Sequence, residues 1–248
     1  MKMMSKTDVA CADCPIRHNA VCAQCESDEL EVLERIKSYT TAESGETLFR
    51  ATDRMTHFCS VVEGAATMSR TLPDGRRQMV GLLLPGDFIG RPGRTDYPFD
   101  IEAISRVTLC RFERARFERL IADTPRVSAR LLQMTLDELD AARDWAVVLG
   151  RLTAREKVAS FLVSLARRMA HLNGGGARPG AKVIIDLPLS RDEMADHLGL
   201  TIETTSRQIS ALKRDGLIVT DGARRIEIPD FDALVDEAGD DEDGGTLA

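Results

Sequence analysis

The 248-residue sequence predicts an α+β chain: a strand-rich N-terminal part, one long helix, then a helix-turn-helix with a hairpin behind it. Three observations carry this. Between Thr40 and Arg114 short apolar runs are broken by turn signals every 8–12 residues or so, the pattern of a sandwich or barrel. Residues 126–149 keep helical spacing without interruption. Residues 190–214 hold two short helical patterns on either side of Gly199.

Composition bounds the class. The apolar fraction is 43% and the charged fraction 29%, as in globular proteins. Aromatics are 4%, so Leu, Val, Ile and Met are expected to fill the core. No apolar run approaches the ~18 residues of a membrane helix, and no hydrophobic stretch follows Lys2 and Lys6 as a secretory signal requires. The expectation is a cytoplasmic protein with no membrane partner. The net charge of −7 hides an asymmetry. Residues 236–248 carry six acids and no base, whereas 151–225 carry 13 basic residues against 8 acidic ones. That basic region keeps nucleic acid open as a partner. The acidic end reads as solvated and disordered.

In chain order, Ser27 is the expected N-cap of a helix over 28–38, with Leu30, Leu33 and Ile36 at helical spacing. Phe58–Val62, Met79–Leu84 and Ala103–Cys110 read as strands. Pro73-Asp74-Gly75 predicts a hairpin joining 65–72 to 77–84. The long helix has two apolar stripes. Ser128, Leu132, Thr135, Leu139, Ala142, Ala146 and Leu149 form one; Val127, Leu131, Met134, Ala141, Trp145 and Val148 form the other. Two stripes exceed what one core covers, so a second copy of the chain is a candidate partner for Leu132, Thr135, Leu139, Ala142, Ala146 and Leu149; a single wide core face is the alternative. A further helix is expected over 153–171, then a Gly-rich loop at 173–180 that lacks the Gly-Lys-Ser/Thr of a phosphate loop.

Ser190-Arg191-Asp192-Glu193 is a capping box opening a helix with Met194, Ala195 and Leu198 inward. After the Gly199 turn, Thr201 caps a second helix with Ile202, Thr205, Ile209 and Leu212 inward. Thr201, Glu203, Thr204, Ser206, Arg207, Ser210 and Lys213 then face outward. Arg reads guanine O6 and N7, and Glu accepts from cytosine N4, so these are candidate DNA contacts. Asp221-Gly222 turns a hairpin, Leu217–Thr220 to Arg224–Ile228, that would carry Arg224 and Arg225 to phosphates; His197 fits the surface of the motif. The bland alternative is a helical hairpin with a wet polar face.

The second motif is Cys11-x2-Cys14-x7-Cys22-x2-Cys25 among polar residues. Disulfides are disfavoured in a reducing compartment, so metal ligation is the reading. Zinc would be satisfied by these four thiolates. An iron–sulfur cluster often takes one ligand distant in sequence, and Cys110 is the candidate; its plainer reading is a buried hydrophobe. Cys59 reads as core. No Ser/His/Asp arrangement, paired-carboxylate motif or nucleotide loop suggests an enzyme. An iron–sulfur electron carrier is the rival from another class, but it has no use for a second helix at 202–214.

The cysteine arm, Gly45-Glu46-Thr47-Leu48-Phe49, Leu84-Pro85-Gly86-Asp87, the long helix and Ile202-Glu203-Thr204-Thr205-Ser206-Arg207 together resemble the CRP/FNR transcription regulators, on the FNR branch. The resemblance covers nearly the whole chain. It implies an N-terminal β-roll (a double-stranded β-helix, cupin-like) sensor domain, a dimerisation helix and a C-terminal winged helix-turn-helix. The expected boundaries are 1–27 for the cysteine arm, 28–115 for the β-roll, 116–150 for the dimerisation helix, 151–232 for the DNA-binding domain and 233–248 for an acidic tail outside the resemblance. It implies an oxygen-labile [4Fe-4S] cluster on Cys11, Cys14, Cys22 and Cys110, with Cys25 as alternate third arm ligand. It also implies a homodimer that reads palindromic TTGAT-like promoter sites, works with RNA polymerase and controls genes of anaerobic or microaerobic metabolism. Asp87 to Thr95 lacks the Phe-Gly-Glu and later Arg-Ser/Thr pairing of members that hold cyclic AMP.

Overall fold

A computed structural model describes residues 9–172 and 182–239; the Gly-rich loop and the acidic end beyond 239 lie outside the described residues. The chain forms two compact units, 1–135 and 136–248.

In the first unit a single 3-10 turn at Cys11–Asp13 precedes helix α1, Ser27–Ile36. The expected cap moves by one residue. Glu26 is the N-cap, and its side chain and that of Glu29 close a reciprocal capping box. Eight strands follow: β1 (Lys37–Ala42), β2 (Thr47–Phe49), β3 (His57–Glu63), β4 (Ala66–Thr71), β5 (Arg77–Leu83), β6 (Phe88–Ile89), β7 (Asp100–Ala103) and β8 (Val107–Glu113). They make two four-stranded sheets, β1-β8-β3-β6 and β2-β7-β4-β5. The hairpin at Pro73–Gly75 is present as β4–β5, with Thr71 opposite Arg77. The strand expected at Ala103–Cys110 is instead two. β7 and β8 lie in different sheets, and the chain turns between them at 104–106.

The core sits between the sheets. Phe58, Phe88 and Phe112, all of the β1-β8-β3-β6 sheet, cluster with Phe117 of the helix that follows β8 at centroid separations of 5.1–5.9 Å. Each such contact adds about 0.5–1.5 kcal/mol beyond area burial. The rest of the buried core is largely aliphatic, as expected, with Leu33, Val61, Ile101, Val107 and Leu109 among its members.

The arm is seated on this unit. Ile16, Ala20 and Val21 are buried. Asn19 Nδ2 donates to the Pro85 carbonyl at 3.3 Å, and Gly86 has φ +99°. A Cβ on Gly86 would clash with the Asn19 carboxamide. Gly86→Ala is expected to cost roughly 1–3 kcal/mol from the backbone alone, and more from the displaced arm. Denaturant midpoints check this. Adding Asn19→Ala should recover the share owed to the clash, and an unshifted midpoint in the single variant would mean the arm yields freely.

The helix expected over 116–150 is two. Helix α2, Arg114–Asp123, ends at Thr124, and α3 runs Pro125–Arg151. The residue before proline is pushed out of the helical region, and proline suits the first position of a new helix. Thr124 accordingly has φ −123° and ψ 94°. Of the stripe holding Val127, that residue and Val148 are buried and Leu131, Met134 and Trp145 half-buried, whereas Ala141 is exposed.

The second unit contains α4 (Ala154–Leu172), β9 (Val183–Asp186), α5 (Arg191–Leu198), α6 (Ile202–Arg214), β10 (Val219–Asp221), β11 (Arg225–Ile228) and α7 (Phe231–Ala238). Its sheet has the order β10-β11-β9, so the predicted wing gains a third strand that sequence patterning did not reveal. Helix α4 supplies the core through Val158, Phe161, Leu162 and Leu165. Helix α7 buries Phe231, Leu234 and Ala238. The tail expected to begin at 233 is therefore folded at least to 238. No described helix is long and apolar enough to cross a membrane.

Candidate functional site

Each unit holds one candidate site. In the second, Ser190 accepts from the Glu193 N–H at 3.2 Å while Glu193 Oε2 accepts from the Ser190 N–H at 2.6 Å. Gly199 ends α5 in the left-handed region, at φ +61°, which glycine adopts without Cβ strain. Thr201 then caps α6 by accepting from the Thr204 N–H at 3.2 Å. Buried Thr205, Ile209 and Leu212 fix the rotation of α6 about its axis. Ile202, expected inward, is instead 41% exposed, because the first turn of α6 extends past the core.

That rotation leaves Glu203, Arg207, Ser210 and Lys213 exposed, and Thr204 and Ser206 half-buried. Arg207 Nη2 donates to Thr204 Oγ1 at 3.4 Å. Glu203 lies in the first turn, where its own backbone N–H and the Thr201 hydroxyl hold its carboxyl below the usual range. It therefore presents an ionised acceptor. Ser210 is partly committed, since its hydroxyl donates to the Ser206 carbonyl. Arg225 is exposed at the hairpin, but Arg224 donates to the Pro188 carbonyl at 3.1 Å.

His197 was expected at the surface. It is buried, stacked on Trp145 at 4.3 Å and edge-on to Phe161 at 5.6 Å. Arg155 is a residue the sequence did not single out. Its guanidinium binds Glu237 through Nε and Nη2 and Asp215, just past α6, through Nη1. This ties α7 and the end of the outward-facing helix to α4. No local spacing announces such a contact, because its partners are 60 and 82 residues away.

The first unit holds the cysteine site. All six cysteines are free thiols. Cys110 lies on β8 opposite Tyr39 of β1 and Ser60 of β3, and is buried. Its thiol is pushed well up by burial and by Cys11, Cys14 and Cys22 nearby. Burial likewise pushes Cys11 up to about 12, and raises Cys22. Cys25 is buried in the core, raised to about 12 by desolvation; Cys22 and Glu29 add to that. Cys59 is core, as expected.

The groups that seat the arm were not legible either. Glu34 Oε2 accepts from the Cys11 N–H at 2.7 Å, and Lys37 Nζ, paired with Glu34, donates to the Val9 carbonyl at 2.5 Å. Arg126 pairs with Glu26 at 2.6 Å and Glu29 at 3.3 Å. On α3 Leu132, Leu136 and Leu139 are 60%, 50% and 44% exposed. Thr135, Ala142 and Ala146 are exposed and Leu149 is half-buried. Leu136 belongs with this face and was missed, since the 4-3 alternation steps over it.

Among the described residues no three His, Cys, Asp or Glu side chains are grouped so as to hold one metal ion. A four-iron cluster spaces its ligand sulfurs more widely than one ion does, since irons and sulfides stand between them. Four thiols from the arm and β8 match that cluster in donor chemistry.

A family model described as a Crp-like helix-turn-helix domain matches residues 156–237, and one described as a cyclic nucleotide-binding domain matches 39–124. The chain is 55% identical over 235 residues to the transcriptional activator protein FnrL of Cereibacter sphaeroides, covering 95% of this chain and 94% of that one. It is 43% identical over 208 residues to the nitrogen fixation regulation protein FixK of Bradyrhizobium diazoefficiens, covering 84% and 85%. The solved structure of FixK2 from Bradyrhizobium japonicum is similar at a TM-score of 0.72 and 32% identity, covering 81% of this chain and 96% of that one. These relatives are regulators, not enzymes. A chain that shares their fold, their helix-turn-helix and over half its residues with one of them belongs to the CRP/FNR family of DNA-binding transcription regulators.

Proposed function

We propose that this regulator senses oxygen through a [4Fe-4S] cluster held by Cys11, Cys14, Cys22 and Cys110, and that the cluster state sets homodimerisation and DNA binding. The observation that carries the reading is the position of Cys110. A thiol buried on β8 stands among three thiols of an arm more than 85 residues away in sequence. When bound, the cluster supplies an oxygen-sensitive tie between arm and β-roll. The chain's own residues do the rest. Asn19 on the Pro85 carbonyl, Lys37 on the Val9 carbonyl and Glu34 on the Cys11 N–H seat the arm beside the β-roll, and the cluster would add its tie to that seat.

The exposed face of α3, with Leu132, Thr135, Leu139, Ala142, Ala146 and Leu149, is the proposed seam with a second copy. Asp137, Glu138, Asp140 and Asp144 flank it, so two copies repel unless the seam is well formed. A dimer places the second half-site within the same complex and multiplies affinity. Half-sites one turn apart, ~34 Å, suit a pair of recognition helices. We assign base readout to Glu203, Ser206 and Arg207 on palindromic TTGAT-like sites, with Thr201, Thr204, Ser210 and Lys213 around them. RNA polymerase is the expected protein partner, at promoters of anaerobic or microaerobic metabolism.

Oxygen-free purification followed by iron, sulfide and zinc analysis tests the reading, with sedimentation before and after air. The expected result is coloured, iron- and sulfide-bearing dimers that shift toward monomer in air. Colourless, zinc-bearing or metal-free dimers that still grip their operator would overturn it.

A further inference from the structure

We infer that Arg130 is the residue through which the cysteine arm acts on α3; this rests on the cluster reading above. The segment between Cys14 and Cys22 is a compact turn. Its Arg17 N–H donates to the Cys14 carbonyl and its Ala20 N–H to the Ile16 carbonyl, both at 2.9 Å. Such a turn ends with carbonyls that its own backbone leaves under-used, as at a helix C-terminus. Arg130 meets the carbonyls of Asn19 and Ala20, of which the Ala20 carbonyl already accepts from the Ala23 N–H at 2.9 Å. Its Nη2 donates to the Asn19 carbonyl at 2.5 Å and its Nε to the Ala20 carbonyl at 3.4 Å. Its Nη1 donates to Gln133 Oε1 at 3.2 Å on its own helix. The guanidinium thus spans the arm and α3 with all three nitrogens engaged, and its planar fork suits a pair of neighbouring carbonyls.

Position makes this contact informative. Both ends of the turn are proposed ligands, so a bound cluster would tighten the seat that buried Ile16, Ala20 and Val21 already give the carbonyls of 19 and 20. Asn19 also reaches Pro85, so the turn is referenced to the β-roll. On α3, Leu131 and Met134 pack against the first unit's core, while Leu132 begins the exposed face two residues beyond Arg130. Arg130 therefore holds the rotation of α3 at the start of the seam. Arg126, one turn earlier, pairs with exposed Glu26 and half-buried Glu29 at the start of α1 and not with the carbonyls of the turn between Cys14 and Cys22.

Arg130 is a positioning residue, and the test separates its role from that of the ligands. Wild type, Arg130→Met, Arg130→Lys and Arg126→Met are purified without oxygen. Iron, sulfide and visible absorption are measured beside the dimer dissociation constant, before and after air. Methionine keeps the aliphatic stem and the helix propensity. The expected result is wild-type iron and colour in Arg130→Met, a dimer at least tenfold weaker, and no further change in air. Arg130→Lys should recover part of the coupling, and Arg126→Met should match wild type. An iron-loaded Arg130→Met that dimerises like wild type overturns the inference. So does one that is weaker but still responds to air by the wild-type factor, because the seam alone is then affected. Loss of iron in Arg130→Met also overturns it, since Arg130 would then serve the arm's grip on iron. Iron-free wild type is a different failure, that of the cluster reading itself.

Discussion

Cys110→Ala is expected to empty the oxygen-free protein of iron and sulfide, while Cys25→Ala keeps both. The four-thiol set needs a member on the β-roll, and Cys110 is the thiol there that lies among Cys11, Cys14 and Cys22. On the proposed ligand set, removing it leaves three arm thiols and no fourth ligand from β8. Alanine at 110 fits a buried strand position, so the fold survives and the loss is attributable to the ligand. Cys25 sits in the core cluster with Val21 and Leu33, where alanine leaves a small void and a modest stability cost. Iron and sulfide analysis with visible spectra decides between them. Iron retained in Cys110→Ala, or lost in Cys25→Ala and kept in Cys22→Ala, would reject the ligand set.

Arg207→Ala is expected to cost roughly 1–3 kcal/mol at each half-site, so a palindrome read by two copies loses on the order of 30- to 10⁴-fold in affinity. Arg207 is exposed on the outward face of α6 and oriented by Thr204 Oγ1. Loss of a guanine contact should flatten preference at one base pair. Titration of the operator and of single-base variants, at fixed salt, measures this. A loss spread equally over all sequences would make Arg207 a phosphate contact. Glu203 behaves differently. It is an ionised carboxylate next to a polyanion and is tolerable only where a base donates to it. Glu203→Ala should therefore relax specificity more than it weakens binding.

The helix-turn-helix was legible because its signals are local. Caps at Ser190 and Thr201, the left-handed turn at Gly199 and the apolar spacing of Ile209 and Leu212 each act within four residues. The arm was legible as a metal motif for the same reason, since Cys-x-x-Cys is a short-range pattern. The misses share the opposite cause. The strand expected over Ala103–Cys110 divides because β7 and β8 pair in different sheets. His197 looked superficial because its neighbours are polar, yet Trp145, distant in sequence, covers it. Strand β9 lacks its own alternation and exists because β11 pairs with it.

Sequence alone determined the order of elements, the cysteine spacing and the outward face of α6, because hydrogen bonds and side-chain periodicities within one or two turns settle them. Tertiary structure decided which thiol of the β-roll meets the arm, which arginine of α3 grips it, and which carboxylates Arg155 joins. Those pairings span from about 60 to more than 100 residues. Only the closing of the sheets and the burial of apolar side chains between them brings such groups within bonding distance.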